Sequence, residues 1–191
     1  MDAVFWFVVH GVCMFAGWGV LIPLAVYVAA FERKRLGEKW IVWHQIFLYT
    51  AYAFITVAFI ISMVIVKRPW EWKTHKVLGL LLYAWITVQV IVGLIVYYTD
   101  PDQKQKLLRK VHILSGYLMI ITGLVNIGFG LADFKMASPY DDSVSIGYGL
   151  YVVSLLVVYL WARMHVDLEE QGHLQPLTLG PAPPVVYVCK K

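Results

Sequence analysis

Read as a string of apolar and polar positions, the chain falls into five long apolar runs, at about residues 4–31, 41–66, 76–98, 111–132 and 146–164. Each of the first four is closed by a short polar break: "ERKRLGEKW", "KRPWEWKTHK", "DPDQKQKLLRK" and "DFKMASPYDDS". A helix needs roughly 20 apolar residues to cross the ~30 Å hydrocarbon of a bilayer, and every run is near that length. The pattern predicts an all-α membrane protein, a five-transmembrane-helix bundle occupying residues 1–166. Residues 167–191 contain "GPAPPVV" and read as an extended, prolyl-stiffened tail. No internal repeat is expected.

Composition agrees with a lipid setting. The 191 residues are 60% hydrophobic and 15% charged, far from the average of soluble domains. The first run is too long for a signal-peptide core and no small-residue cleavage site follows it, so it reads as an uncleaved anchor. Cys13 lies in mid-helix and Cys189 near the end, which permits no disulfide framework.

Charge sets an orientation. Consecutive helices alternate in direction, so each polar break belongs to one membrane side; the N-terminal side is here called X and the other Y. Lys67, Arg68, Lys73, Lys76 and Lys135 fall on X, and the other 11 of the 16 lysines and arginines fall on Y. The positive-inside rule then makes Y cytoplasmic, or its matrix equivalent in an organelle. The N-terminus is expected on the extracytoplasmic or lumenal side and the C-terminus on the cytoplasmic side. The net charge of +4 is thereby read as topology and lipid contact. No folded domain presents the basic residues, so nucleic acid is not an expected partner.

Four of the six histidines change the picture. His10, His44, His75 and His112 each sit near the start of one of the first four helices. Because the helices alternate, His10 and His75 share a depth near X, and His44 and His112 share a depth near Y. Two imidazoles facing each other at one depth between helices can be axial ligands to a haem iron. An intramembrane histidine is costly without a partner, and a bridging hydrogen bond is the other reading of any one of them. Small residues follow the histidines on the same faces: Gly116, Gly123 and Gly130 after His112, Gly79 and Gly93 after His75, and Gly17 after His10. They make room for a flat macrocycle or for a packed helix; Gly116 is the one expected to make room beside a haem held by His112. His165 and His173 have no partner at matching depth and read as surface residues. Trp40, Trp43, Trp70, Trp72 and Trp161 stand near helix ends as interfacial anchors do, Trp18 and Trp85 lie deeper, and Asn126 is placed to bond a neighbouring helix.

The order and spacing of these histidines, 34, 31 and 37 residues apart, resemble those of the cytochrome b561 family. "HGVCMFAGWGVLIPLAVYVAAF", "KTHKVLGLLLYAWITVQVIVGL" and "VHILSGYLMIITGLVNIGFGL" are similar to the family's first, third and fourth core segments. The likeness is strongest to the DOMON-linked, ferric-reductase-like core, here expected without a DOMON domain. It implies two haem b groups, ligated by His10 with His75 and by His44 with His112. It also implies a transmembrane oxidoreductase that takes single electrons from a cytoplasmic-side donor, ascorbate-like, to an extracytoplasmic acceptor, a ferric chelate or monodehydroascorbate. The alternative is a haem-binding accessory subunit of a larger membrane electron-transfer complex. Expected partners are membrane lipid, small-molecule donor and acceptor, and a second copy or a membrane complex. Where the family's cytoplasmic substrate site borders the haem, this chain has Arg33, Lys34, Arg35 and Lys39. These can hold an anion by charge-assisted hydrogen bonds, or serve only topology and lipid phosphate. Lys73 and Lys76 can attract an anionic chelate on side X.

The orientation has a direct check. Membrane-impermeant thiol labelling in sealed vesicles is expected to reach Cys189 from the Y side only; labelling confined to the X side would reverse the assignment.

Overall fold

The computed structural model describes residues 3–65, 73–99, 103–137 and 142–170. Among the described residues five helices are long and apolar enough to cross a membrane: Val4–Phe31, Lys39–Val64, Thr74–Tyr98, Lys106–Lys135 and Ser143–Glu169. They are α1 to α5 below. The buried share of the most apolar 18-residue stretch of each helix runs from 33% in α1 down to none in α5, so most of the apolar surface faces outward. Such a surface is a liability in water and fits hydrocarbon. The chain is a multi-pass integral membrane protein.

Two helices run well past the bounds expected of them. The fourth helix begins at Gln103 and ends at Ala137, well outside 111–132. Its first turns, "QKQKLLRK", are polar but made of good helix formers, which an apolar threshold does not register. The fifth runs Ser143–Glu170, so residues 167–170 continue the helix and the extended tail cannot begin before 171. His173, Cys189, the proline-rich stretch, Lys67, Arg68, Trp70 and Trp72 lie outside the described residues.

α1 packs along α2, and α3 along α4; α1 also meets α4, and α2 meets α3. Among the described residues the backbones of α1 and α3, and likewise of α2 and α4, do not come close. The four therefore stand in a ring, with α1/α3 and α2/α4 as diagonals across an interior. α5 lies outside the ring against α1 and α4. Ala51, Ile55 and Ala58 on α2 are buried at helical spacing, as are Leu82, Ile86 and Gln89 on α3. Ala51, Ile55, Leu82 and Ile86, with Trp18, Ile22, Met119, Ile120 and Leu124, fill the middle of the ring.

The centre of α1 is not a regular α-helix. Phe15–Leu21 forms a π-helical segment, in which the Ile22 N–H reaches the Gly17 carbonyl. Pro23 follows at once; it has no N–H to offer the preceding turn, and wide turns of this kind are a common way to absorb the break. Two carbonyls beside the proline are taken by α5: the Tyr151 hydroxyl donates to Gly19 O and the Tyr159 hydroxyl to Pro23 O. Tyr148 adds a bond to Leu124 O on α4, at 2.5 Å. These phenols, with edge contacts of Tyr151 on Phe15 and of Tyr159 on Phe31, attach the outer helix to the ring.

Trp18 is 4% exposed and lies where Gly123 leaves room for it. A Cβ at Gly123 would stand 2.4 Å from Trp18 Cε3, against a rigid indole that cannot yield. Gly123→Ala is therefore expected to destabilise the bundle by about 1–3 kcal/mol, read as a lowered Tm in nanodiscs. Gly147, with nothing near its added Cβ, serves as the control, and Gly123→Ala combined with Trp18→Leu should recover part of the loss. Equal Tm values for the alanine variants at Gly123 and Gly147 would remove Trp18 from that place.

Candidate functional site

The histidines stand in two layers, each built on the diagonals of the ring. In the X layer, His10 from α1 and His75 from α3 face each other with ring centroids 6.2 Å apart and planes at 89°. Two imidazoles on opposite sides of one metal ion, each bound at about 2 Å, hold their centroids roughly 6 Å apart. In the Y layer, His44 from α2 and His112 from α4 line one cavity of about 430 Å³, within the size range of a small-molecule site. His10 and the Ala25 carbonyl of the Y layer are 15 positions apart on α1, or roughly 20 Å along the helix.

Three of the four rings are fixed in the same way. His10 Nδ1 is 2.9 Å from Ala58 O, His44 Nδ1 is 2.8 Å from Ala25 O, and His75 Nδ1 is 3.0 Å from Asn126 O. Each bond runs to the antiparallel neighbour of the histidine's own helix. The acceptors are main-chain carbonyls, so Nδ1 carries the proton and donates. That leaves Nε2 as the unprotonated nitrogen, the tautomer a metal ligand needs. Ala58 and Ala25 are themselves fully buried; their small side chains let the ring approach the backbone.

The fourth ring differs. Gln89 Nε2 donates to the main-chain oxygen of His112 at 2.6 Å, and His112 Nδ1 is buried without a protein partner. The glycines explain how both α3/α4 histidines fit. A Cβ at Gly93 would lie 3.0 Å from His112 Cε1, and one at Gly130 would lie 2.8 Å from His75 Cε1. Gly116 lines the Y-side cavity with His112, and a Cβ added there would also meet Gln89 Nε2 at 3.2 Å.

A repeat was missed in the sequence. α3 carries His75, Gly79, Gln89 and Gly93; α4 carries His112, Gly116, Asn126 and Gly130. Both read His-x3-Gly-x9-(Gln or Asn)-x3-Gly. Folded antiparallel, each helix presents its histidine to the other's amide-bearing turn and far glycine. Gln89 and Asn126 are both 8% exposed; Gln89 bonds the His112 carbonyl through its side chain and Asn126 the His75 ring through its main chain. Sliding the sequence on itself by 37 positions would have found them. Asn126 does meet the neighbouring helix, but through its carbonyl.

The structure divides the expected anion set. Arg33 turns inward: it lines the Y-side cavity, its guanidinium carbon stands 4.0 Å over the Trp40 ring, and its Nε is buried without a partner. Burial first, then the charge of Arg109, hold Arg33 below its ordinary pKa, with Tyr117 acting the other way. Arg35 instead pairs with Glu32 at 3.1 Å, and Lys34 and Lys39 are exposed. Arg109, not among the expected residues, lines the cavity beside His112; its place one helical turn before that histidine was the available signal. On the other side Lys73 and Lys76 flank His75 in the opening turn of α3. Trp85 donates to Ser115 Oγ at 2.7 Å. His165 stacks on Trp161 and stands 3.3 Å from Glu169 on its own helix. Among the described residues no group of three or more histidine, cysteine or acidic side chains forms a metal cluster.

The residues present fit a flat, iron-bearing macrocycle: opposed imidazoles in the right tautomer, apolar walls, and cations at one rim. Comparison with known proteins points the same way. A family model described as eukaryotic cytochrome b561 matches residues 5–137. Three curated relatives are cytochrome b561 and DOMON domain-containing proteins of Arabidopsis thaliana. One is 28% identical over 156 residues, covering 79% of this chain and 37% of that protein. A second is 26% identical over 157 residues, 80% of this chain and 38% of that protein. The third is 29% identical over 129 residues, 65% of this chain and 31% of that protein. This chain thus spans less than two fifths of the length of the curated relatives it matches. No solved structure matches it.

Proposed function

The chain belongs to the cytochrome b561 family, a haem b-binding family, and from that premise we propose that it is a di-haem cytochrome moving single electrons across the membrane. The observation that carries the reading is the pair of layers in which Nδ1 of three histidines is engaged by the main chain, the His10 and His75 rings meet across one diagonal and His44 and His112 line one cavity on the other. His10 and His75 would hold one haem on side X, and His44 and His112 the other on side Y. Haem b, when bound, supplies a one-electron ferric–ferrous couple.

The rest of the work belongs to the chain. The carbonyls of Ala25, Ala58 and Asn126 orient the rings and raise their basicity. Trp18, Ile55, Leu82, Ile86 and Met119 fill the space between the layers and exclude water there, so that an electron can cross without an aqueous path for ions. Side Y faces the cytoplasm. The donor there is an ascorbate-like anion, drawn by the basic loop in which Lys34 and Lys39 are exposed. The acceptor on side X is a ferric chelate or monodehydroascorbate, drawn by Lys73 and Lys76.

Pyridine haemochrome analysis is expected to give two protohaems per polypeptide; none would end the reading, and one would mean that a pair is misassigned. His44→Ala or His112→Ala should abolish the low-spin signature of the Y-side haem and leave the X-side haem at least partly bound, and His10→Ala or His75→Ala the reverse. Loss of one and the same spectral component from His10→Ala and His44→Ala would overturn the pairing.

A Lys34→Gln/Lys39→Gln variant should keep both haem spectra but be reduced more slowly by ascorbate. Its rate should also depend less on salt, since attraction at an exposed site is screened over roughly 8 Å at physiological ionic strength. Stopped-flow reduction with unchanged rate and unchanged salt dependence would take the donor away from this loop and point to delivery by a protein neighbour.

A further inference from the structure

Arg33 and Arg109 bring two guanidinium groups to the Y-side cavity, and the residues lining it include no aspartate or glutamate. The acid nearest in sequence, Glu32, is already paired with Arg35. Two cations converging on one pocket without an acid repel each other, and a half-buried cation such as Arg33 is costly to leave without a counter-ion. Their arrangement is not adventitious: the Arg33 side chain is laid over the Trp40 face at 4.0 Å, a contact that holds a guanidinium in place, and its Nε is buried and unmatched. A pocket so built calls for a ligand with two adjacent negative groups on an otherwise apolar body. Guanidinium groups recognise carboxylates with a two-pronged geometry that an ammonium lacks.

We propose that Arg33 and Arg109 form a carboxylate clamp for the two propionates of the haem held by His44 and His112, fixing its carboxylate edge toward the Y surface. The proposal rests on the reading of His44 and His112 as haem ligands and adds to it a third and a fourth anchoring residue. It also divides the basic loop in two: Arg33 serves the cofactor from inside, while the exposed lysines are left for the soluble donor. A soluble organic anion has the same carboxylate or enediolate chemistry, so the test separates the two sources.

The experiment uses the His75→Ala chain, in which the Y-side pair alone remains, reconstituted with haem b or with its dimethyl ester, whose propionates carry no charge. Haem loss to excess apomyoglobin is followed spectroscopically. Haem b is expected to leave about tenfold or more slowly than the ester, as loss of charge-assisted bonds requires. Arg33→Gln/Arg109→Gln should raise the loss of haem b to the level of the ester and change loss of the ester less than twofold. Arg33→Lys/Arg109→Lys should fall between. The comparison of the two haems needs no arginine variant, so it stands even if the double glutamine variant fails to fold. Equal loss of haem b and ester from the unsubstituted arginines overturns the clamp. So does a glutamine variant that holds haem b normally but is reduced more slowly by ascorbate, since the arginines would then serve a soluble anion. If the His75→Ala chain takes up no haem at all, the ligand reading itself fails and the clamp with it, an outcome distinct from equal loss by a loaded chain.

Discussion

Everything at the site hangs on a hydrogen bond from an imidazole to a carbonyl that is already in a helix. A helical carbonyl accepts one N–H from its own turn and has a second lone pair to give. His10 and His44 use that second pair on Ala58 and Ala25, reciprocally, across the α1/α2 contact. The bond settles several things at once. It satisfies a polar nitrogen in a setting where an unmet one is expensive, fixes which nitrogen bears the proton, and locks the axial register of two antiparallel helices. Because the acceptor is backbone, the only demand on the partner sequence is a side chain small enough to let the ring in, and alanine meets it twice.

The α3/α4 pair solves the same problem with different material. There the close approach is made at glycine rather than alanine, and on side Y the buried Gln89 amide adds a bond of its own. The pair is nearly two-fold symmetric in sequence but not in bonding: His75 donates to a carbonyl, whereas at His112 the flow is reversed and Gln89 donates toward the histidine's own backbone. The two layers are therefore inequivalent in their ligand support, although the motif that builds them is the same.

Much of this was legible in the sequence and some was not. The five spans follow from apolar length alone, and the histidine pairs follow from helix alternation, because depth in a bilayer is nearly one-dimensional. What depth cannot give is azimuth. Which of the basic residues turns inward is decided by local backbone, here the break after Phe31 and the left-handed Gly37 at φ 53°, which together fold Arg33 back over Trp40 and leave Arg35 to Glu32. The glycines were recognised as a face that makes room for a macrocycle or a packed helix; what depth cannot give is the neighbour of each, the His112 ring at Gly93, the His75 ring at Gly130, Trp18 at Gly123 and Ile55 at Gly17. Helix ends were misjudged where polar helix formers extend a span beyond the hydrocarbon, as at Gln103 and Glu170.

The attachment of α5 has its own consequence. In lipid, apolar side chains gain little by leaving the solvent for one another, so helices that are stable singly associate through shape and hydrogen bonds. The outer helix is held by three phenols on main-chain oxygens, which at roughly 0.6 kcal/mol each come to about 2 kcal/mol, together with its aromatic edge contacts. By that measure α5 relates to the four-helix ring as a tethered ligand does to a receptor: it docks after the receptor exists, its occupancy is governed by effective concentration as much as by contact, and its lipid-facing side chains are free to drift so long as three hydroxyls keep their addresses.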